Sequence, residues 1–436
     1  MDIGKFMKKH GLREGMEVGV ECGKAVFNGT IVPSEEKDSL FLKLKSGYNT
    51  GIALPKITAV SVLGRGKNVG KAKVPAAGKV KRKPGLPDIA ILHTGGTIAS
   101  RVDYKTGGVY SAFSPEDLLT MVPELGEIAN IRTGLVSEMM SEDMGFSDHA
   151  RIAKAVAKEV KKGVKGVIVG HGTDTLGYTA AMLSFMLENV NVPVLVVGAQ
   201  RSSDRGSTDA AMNLICAARF IANSDFAGVA VCMHEGSGDE YCAVLPGTKT
   251  RKMHTSRRDA FKAINSREIA RVDYKTGKIE FVKKTGKPKG KFSLKDEVEK
   301  KVGLLKTYPG ISTRLIDFFR TQKYKGLIIE GTGLGHTPIG KKDEFVRAIG
   351  KLVKAGCVVG MASQCLNGRV NDKVYTNLRK VAEQGVVYGE DMLPETAYVK
   401  LAWLLGNYKK DKAKEMFAEN LRGEITRCTN PDVFEW

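Results

Sequence analysis

From Asp88 onward, short runs of apolar residues alternate with longer stretches that have a helical pattern. The apolar runs are DIAILHT (Asp88–Thr94), VKGVIVGH (Val164–His171) and VPVLVVGAQ (Val192–Gln200), and the helical stretches include HARIAKAVAKEVKK and TLGYTAAMLSFMLEN. Continuous apolar strands connected by helices predict a parallel sheet that is covered on both faces. Because ligands bind at the carboxyl ends of the strands in such sheets, we expect the functional residues where these runs end.

The chain has 436 residues, which is too long for one ordinary domain. Its residue composition and hydrophobic pattern also change along its length. Residues 1–64 contain short segments of alternating polarity and predict a small β-barrel domain. The composition then predicts a basic linker at 65–87, an α/β domain that carries the catalytic residues at 88–291, and a smaller C-terminal α/β domain at 292–436.

Basic residues outnumber acidic ones, since 68 Lys and Arg against 48 Asp and Glu give a net charge of +20. The stretch Gly64–Pro87 is rich in Lys and Arg and contains no acidic residue, and Lys283–Lys291 is a second lysine-rich run. Such segments favour a polyanionic partner such as RNA through salt-sensitive phosphate contacts. A solvated, lysine-rich surface is the alternative explanation of the same composition.

Several classes of protein are not indicated by the sequence. No stretch approaches the ~20 apolar residues of a membrane span, and the N-terminus MDIGKFMKKHGLREG lacks the apolar core of a signal peptide. We therefore expect a cytoplasmic protein without a membrane partner. The cysteines are scattered without a CxxC pair, and no metal-ligand spacing occurs, so that neither a disulfide framework nor a metal site is expected.

Two segments rich in glycine and threonine follow the first two apolar runs: HTGGTIAS at His93–Ser100 and HGTDT at His171–Thr175. The first segment has neither the GxxxxGK[ST] spacing of a phosphate-binding loop nor GxGxxG, and the chain has no nucleophile elbow for Ser/His/Asp chemistry. Nucleophilic catalysis by a threonine hydroxyl, Thr94 or Thr97, is the remaining hypothesis. Such a hydroxyl needs a nearby base, and lysine can act as one where burial lowers the pKa of an amine. Each segment alone could also be an ordinary turn.

Together, TGGTIA and HGTDT resemble the two signature segments of the L-asparaginase/glutaminase amidohydrolases. The resemblance implies an asparaginase-like, two-domain α/β fold behind the N-terminal barrel. It implies that Thr97 is the nucleophile that forms an acyl-enzyme, and that Thr173, Asp174 and Lys252 form a second catalytic group. Lys249 is the alternative to Lys252, although the spacing to the DAF segment favours Lys252.

The same resemblance assigns the substrate-binding residues. Ser141 would hold the α-carboxylate of the substrate, and Glu142 and Asp174 would hold its α-ammonium group. A helix cap is the alternative interpretation of the Ser-Glu-Asp segment. The family also uses a tyrosine on the loop after TGGT, for which this chain offers Tyr104 and Tyr110 in a candidate lid.

Three longer segments, Ala199–Leu214, Lys252–Phe261 and Glu390–Gly406, closely resemble the D subunits of archaeal-type glutamyl-tRNA(Gln) amidotransferases. This resemblance implies that the chain hydrolyses glutamine and passes ammonia to a partner, the E subunit of the amidotransferase. The E subunit would bind Glu-tRNA(Gln) and use ATP and Mg²⁺, so no cofactor is expected in this chain. The family further implies that the chain self-associates as a dimer within a heterotetramer.

Two other functions are compatible with these features. The chain could be a free-standing asparaginase or glutaminase with an added domain, in which case it would release ammonia at full rate without a partner. It could also be a non-catalytic scaffold that binds RNA, although the intact set Thr97, Thr173, Asp174 and Lys252 argues against that.

Overall fold

The structure is a computed structural model of the chain. It describes residues 2–23, 25–32, 34, 36–44, 49–64, 82–95, 100–102, 109–111, 122–201, 208–283 and 286–429. None of the described helices is both long enough and apolar enough to cross a membrane.

The N-terminal domain is a helix followed by an antiparallel five-stranded sheet. Its elements are α1 (Ile3–Lys9), β1 (Glu17–Cys22), β2 (Ala25–Ile31), β3 (Ser39–Leu44), β4 (Asn49–Ala53) and β5 (Ala59–Gly64). The residue before the helix is Asp2, whose carboxylate accepts a hydrogen bond from the backbone N–H of Lys5 at 2.8 Å and so caps the first turn. The strand order is β4-β3-β2-β1-β5.

This strand order requires the small sheet to curl. Strands β4 and β5 stand at opposite edges, which would be about 19 Å apart in a flat sheet. The connection between them contains a 3₁₀ turn, Leu54–Lys56, and can reach at most about 16 Å. The sheet therefore bends around its own apolar core. Among the described residues no pairing joins β4 to β5, so a closed barrel stays a prediction. That core consists of Phe6, Leu12, Val18, Val20, Ile31, Leu40, Leu42, Ile52 and Leu54.

The second domain is built on an eight-stranded sheet. Its strands are β6 (Asp88–His93), β9 (Asn130–Leu135), β10 (Gly166–Gly170), β12 (Pro193–Val197), β13 (Gly228–His234), β14 (Tyr241–Pro246), β17 (Ala270–Asp273) and β18 (Ile279–Phe281). The order is β18-β17-β14-β13-β12-β10-β6-β9. The five neighbouring strands β9, β6, β10, β12 and β13 run parallel, as predicted, whereas β14, β17 and β18 extend the sheet by antiparallel pairing.

Short strands and helices complete this domain. The short strands are β7 (Ser100–Val102), β8 (Val109–Ser111), β11 (Leu187–Glu188), β15 (Thr250–Lys252), β16 (Phe261–Ala263) and β19 (Ser293–Leu294). The helices are α2 (Leu125–Ile128), α3 (Phe146–Lys161), α4 (Leu176–Met186) and α5 (Ala210–Asn223).

Both faces of the parallel strands are buried, which explains their uninterrupted apolar sequence. Alternate residues of each strand point to opposite faces. In β6, Ala90 and Leu92 belong to the core cluster that includes α3 and α4, whereas Ile89 and Ile91 belong to the cluster that includes α5. The predicted two-sided coverage of the sheet is therefore confirmed.

The C-terminal domain is a smaller parallel sheet with helices. Its strands are β20 (Val302–Lys306), β21 (Gly326–Gly331), β22 (Val358–Ser363) and β23 (Val387–Tyr388), in sequential order. The helices are α6 (Arg314–Thr321), α7 (Glu344–Lys354), α8 (Thr376–Ala382), α9 (Pro394–Asn407) and α10 (Lys410–Phe417).

Helix α9 joins the two α/β domains. It packs against α4, and the rings of Phe185 and Trp403 stack with their centroids 5.6 Å apart. Trp403 is fully buried and donates from its indole nitrogen to the carbonyl of Lys295. The two domains therefore share one continuous apolar core around this contact.

Candidate active site

Three of the four predicted catalytic residues lie together at the carboxyl end of the central sheet. Thr173 and Asp174 occupy the turn between β10 and α4, and Lys252 is the last residue of β15. The amine of Lys252 lies 2.9 Å from the Thr173 hydroxyl oxygen and 2.8 Å from a carboxylate oxygen of Asp174. Residues 79 positions apart in the chain thus form one hydrogen-bonded group.

Exposure differs within this group. Thr173 is buried at 8 % exposure, the Lys252 side chain is 15 % exposed, and the Asp174 side chain is 66 % exposed. An ion pair with one solvated partner contributes only about 0–1 kcal/mol to stability. The pair therefore orients the lysine amine toward the buried hydroxyl and adds little to the stability of the fold.

Two glycines let neighbouring turns approach this group closely. A Cβ on Gly172 would lie 2.8 Å from the Ser141 side chain, and a Cβ on Gly198 would lie 2.8 Å from the Thr173 methyl group. Real Cβ atoms do not come this near to other atoms. The absence of a side chain at these two positions therefore allows three separate loops to meet.

His171 orders the turn that carries Thr173. Its Nδ1 lies 2.6 Å from the carbonyl of Gly172, and its Nε2 lies 2.8 Å from the Thr179 hydroxyl. Nδ1 therefore donates to the carbonyl, and Nε2 accepts from the hydroxyl. Burial lowers the pKa of His171 to about 4, so the ring stays neutral and holds the turn.

The segment predicted to carry the nucleophile is described only at its start. The Thr94 hydroxyl donates to the carbonyl of Gly170 at 2.9 Å, so Thr94 joins β6 to β10. Gly95 has a φ of +102°, and a Cβ there would lie 2.7 Å from the backbone nitrogen of Met139. Thr97 lies outside the described residues, so its role as the nucleophile stays a prediction.

The two lid tyrosines also stay predictions. Tyr104 lies outside the described residues. Tyr110 lies in β8, which pairs with β7 in an antiparallel hairpin directly after the nucleophile segment.

The predicted substrate-binding residues approach the same strand ends. Ser141 begins a 3₁₀ turn, is buried at 3 % exposure, and packs against Gly172, while Glu142 next to it is exposed. The carbonyl of Ser141 accepts a hydrogen bond from the Thr175 hydroxyl at 2.6 Å. The cap position of this turn is Met140, which makes no side-chain cap bond, so the alternative interpretation of Ser141 as a helix cap is not supported.

Lys249, the alternative catalytic lysine, points elsewhere. It is buried at 1 % exposure, and its amine lies 2.8 Å from a carboxylate oxygen of Asp391 in the C-terminal domain. Burial lowers the pKa of the Lys249 amine, and the Asp391 carboxylate acts in the opposite direction. The structure thus brings Lys252 to Thr173 and gives Lys249 a structural partner.

One residue beside Thr173 was not predicted from the sequence. Gln200 ends the third apolar run, and its side-chain oxygen lies 3.4 Å from the Thr173 hydroxyl. The signal that could have found it is its place at the end of a parallel strand, the criterion that identified the other segments.

The chain matches three protein families along its length. The family described as "Asparaginase, N-terminal" matches residues 88–286, and "Glutaminase/Asparaginase C-terminal domain" matches residues 301–417. The family described as "GatD N-terminal domain" matches residues 12–63.

Solved structures of L-asparaginases share this fold. The thermostable L-asparaginase from Thermococcus kodakarensis is 28% identical with a TM-score of 0.70, and it covers 78% of this chain and 100% of its own. L-asparaginase I from Vibrio cholerae is 30% identical with a TM-score of 0.68 over 78% of this chain and 99% of its own. The fold and the site therefore define an amidohydrolase of the asparaginase class.

Relatives that match the full length carry a more specific name, the D subunit of glutamyl-tRNA(Gln) amidotransferase. The relative from Pyrococcus abyssi is 48% identical over 100% of both chains. The relative from Methanosarcina mazei is 46% identical over 96% of this chain and 99% of its own. The chain belongs to this family of amidotransferase D subunits.

Proposed function

We propose that this chain hydrolyses glutamine to glutamate and ammonia and delivers the ammonia for conversion of Glu-tRNA(Gln) to Gln-tRNA(Gln). The observation that carries the proposal is the contact of Lys252 with both Thr173 and Asp174 at the carboxyl edge of the sheet. A hydroxyl that is hydrogen-bonded to a lysine amine can relay protons, and nucleophilic hydrolysis of an amide needs such a relay.

In the first step, the Thr97 hydroxyl attacks the carboxamide carbon of glutamine. Its proton passes to the Thr173 oxygen, and the proton of Thr173 passes to the unprotonated amine of Lys252. Asp174 supports this transfer because its carboxylate, 2.8 Å from the amine, favours the ammonium ion that forms. Backbone N–H groups at the strand-end turns would stabilise the oxyanion of the tetrahedral intermediate.

In the second step, the carbon–nitrogen bond breaks and ammonia leaves with the proton that the relay returns. The product is an ester between the γ-carboxyl carbon of glutamate and Thr97. Water then attacks this ester, with Thr173 and Lys252 as the base, and regenerates the Thr97 hydroxyl as glutamate leaves. Each proton taken up by the relay is returned, so the chain ends unchanged.

Ser141, Glu142 and Asp174 would hold the amino-acid end of the substrate. A zwitterion needs a donor for its carboxylate and acceptors for its ammonium group, and a serine hydroxyl together with two carboxylates offers both. The contact between Ser141 and Gly172 supports this assignment because it brings the two segments within reach of one small substrate.

The ammonia would be used by a partner, the E subunit, which binds Glu-tRNA(Gln) and activates it with ATP and Mg²⁺. Two observations support a role within such a complex over that of a free-standing asparaginase. The N-terminal domain matches "GatD N-terminal domain", and the asparaginase structures cover their own full length yet only 78% of this chain. We also propose that the chain is cytoplasmic and dimerises in a heterotetramer with its partner.

Replacement of Thr97 by Val tests the division of labour. With the partner, ATP and Glu-tRNA(Gln), we expect Thr97→Val to lose glutamine-dependent amidation of the tRNA. Amidation from added ammonium chloride should be retained, because ammonia bypasses the nucleophile. Thr97→Ser, which keeps a hydroxyl, is the matched control and should retain measurable glutamine-dependent activity.

Two outcomes would contradict the proposal. If glutamine still supported amidation in Thr97→Val, Thr97 would not be the nucleophile. If ammonia failed to rescue a folded Thr97→Val complex, this chain would contribute more than ammonia release. A wild-type glutaminase rate that is independent of partner and tRNA would favour a free-standing hydrolase.

A further inference from the structure

The turn after β12 is packed directly under the proposed proton relay. Gly198 begins this turn, and the contacts of a Cβ there would include the Thr173 methyl group at 2.8 Å and the carbonyl of His171 at 3.0 Å. Gln200 follows two residues later, and its side chain reaches the Thr173 hydroxyl. The position of Gln200 is therefore coupled to the position of Thr173.

A buried carboxylate fixes the backbone of this turn. Asp209 is fully buried, and it accepts hydrogen bonds from the backbone N–H groups of Gln200 and Arg201, each at 3.0 Å. The Asn213 amide donates to Asp209 at 3.2 Å and to the carbonyl of Gly198 at 3.0 Å. A buried carboxylate needs such partners, so Asp209 and Asn213 hold the turn rigidly against Thr173.

The orientation of the Gln200 amide is informative. Its oxygen faces the Thr173 hydroxyl at 3.4 Å, while its nitrogen is buried without a hydrogen-bond partner among the described residues. A buried donor without a partner is unfavourable. If the Gln200 amide were turned over, its NH₂ group would be a second donor facing the Thr173 oxygen. That oxygen already accepts a hydrogen bond from the Lys252 amine.

We propose that Gln200 is a positioning residue that holds the Thr173 oxygen beside the Lys252 amine for the proton relay. The inference rests on the proposed function. The Thr173 oxygen lies between Gln200, which accepts the hydroxyl proton, and the Lys252 amine at 2.9 Å. When the amine acts as the base, the proton turns from the weakly bound Gln200 oxygen to Lys252, and the Thr173 oxygen does not have to move. Without the Gln200 acceptor, the Thr173 side chain has more freedom, and fewer enzyme–substrate complexes are ready to react.

This role predicts an effect on kcat with little effect on KM. The O···O distance of 3.4 Å is longer than that of a strong hydroxyl hydrogen bond. We therefore expect Gln200→Leu to lower kcat for glutamine hydrolysis by about 3- to 30-fold, with KM within about twofold of wild type.

The pH profile separates positioning from a merely structural role. Gln200→Glu keeps an acceptor of the same size and adds a negative charge near Lys252, whose ion-pair partner is Asp174. The adjacent Arg251 is paired with Glu395, and Lys262, opposite Arg251 on β16, donates to the carbonyl of Glu235. The added carboxylate favours the ammonium form of the base. We expect the acid limb of the kcat profile to move to higher pH by about one unit in Gln200→Glu.

The experiment uses the full chain in complex with its partner and Glu-tRNA(Gln), and glutamine hydrolysis is followed by ammonia release. Gln384→Leu is the matched control, since Gln384 precedes β23 at the amino edge of the smaller sheet and bonds only weakly to Lys380. We expect wild-type kcat and pH profile in this control. Thermal unfolding establishes that each variant is folded, and Gln200→Met replaces Gln200→Leu if the latter is not.

The inference would be overturned if Gln200→Leu kept kcat within twofold of wild type, or if KM alone changed. An unmoved acid limb in Gln200→Glu would also overturn it. These failures are distinct from failure of the proposed function, in which the wild-type complex itself would not hydrolyse glutamine.

Discussion

The buried ion pair between Lys249 and Asp391 holds the strand of the catalytic lysine to the C-terminal domain. The pair joins residues 142 positions apart, with side-chain exposures of 1 % and 2 %. The Asp391 carboxylate also accepts hydrogen bonds from the backbone N–H and the hydroxyl of Thr426. We expect Asp391→Asn, which removes the charge and keeps the size, to destabilise the chain strongly.

The magnitude follows from the burial of both groups. Removal of one partner of a buried pair leaves the other charge without compensation and costs about 3–5 kcal/mol. Asparagine can still accept from Thr426, so the loss is assigned to the uncompensated Lys249 ammonium. Because Lys249 is three residues before Lys252 in the chain, we also expect reduced glutamine hydrolysis in this variant.

The loss has a defined dependence on pH. Burial lowers the pKa of Lys249 from its usual 10.5 in the folded chain, and Asp391→Asn removes the carboxylate that opposes this shift. A group whose pKa is lowered on folding gives up stability as the pH falls below the pKa of the unfolded state. The deficit of Asp391→Asn relative to wild type should therefore be largest near pH 7 and shrink as the pH rises toward 10.

Urea unfolding followed by tryptophan fluorescence measures these differences, because Trp403 is fully buried between the two domains. Lys249→Met combined with Asp391→Asn removes both charges and should recover most of the lost stability. A loss of less than about 1 kcal/mol for Asp391→Asn at pH 7, or a deficit that stayed constant up to pH 10, would refute the assignment to the Lys249 ammonium.

Two further predictions concern the relay and the buried histidines. Lys252→Met should lower kcat for glutamine by about 10²–10⁴-fold with the fold intact, because it removes the amine that acts as the base and keeps an apolar side chain of similar length. An activity loss below tenfold would contradict the relay. Stability should fall as the pH drops from about 6.5 toward 4, since burial lowers the pKa of each of three neutral histidines to about 4: His93, His149 and His171. Each contributes about 3 kcal/mol to the loss near pH 4. His149→Leu should flatten the pH dependence of urea unfolding, the exposed His254→Gln should not, and equal slopes in the two variants would contradict this assignment.

The local sequence pattern was sufficient to predict most of the fold. The apolar runs at β6, β10 and β12 are buried on both faces, so their sequences differ from those of half-exposed strands. The antiparallel extension by β14, β17 and β18 was not predicted. These strands pair antiparallel at one edge of the sheet, and the choice of edge depends on contacts between distant residues.

The candidate site was predictable in part. Glycines and threonines at the ends of two strands identified the turn of Thr173 and Asp174, because parallel strands bring their carboxyl ends to one edge. Gln200 lies at the end of a third such strand, yet nothing in its local sequence shows that its amide reaches Thr173. That contact depends on the close packing of two turns at Gly198.

The sequence by itself determined the class of the fold and the segments that form the site, since both follow from hydrophobic period and turn composition. Only the tertiary structure decided between two lysines on the same short segment. Lys249 enters the core because Asp391, far along the chain, offers a buried carboxylate, and Lys252 remains free to reach Thr173 and Asp174. The spacing to the DAF segment favoured Lys252, and the deciding difference is which partner the folded chain brings within hydrogen-bond distance of each lysine.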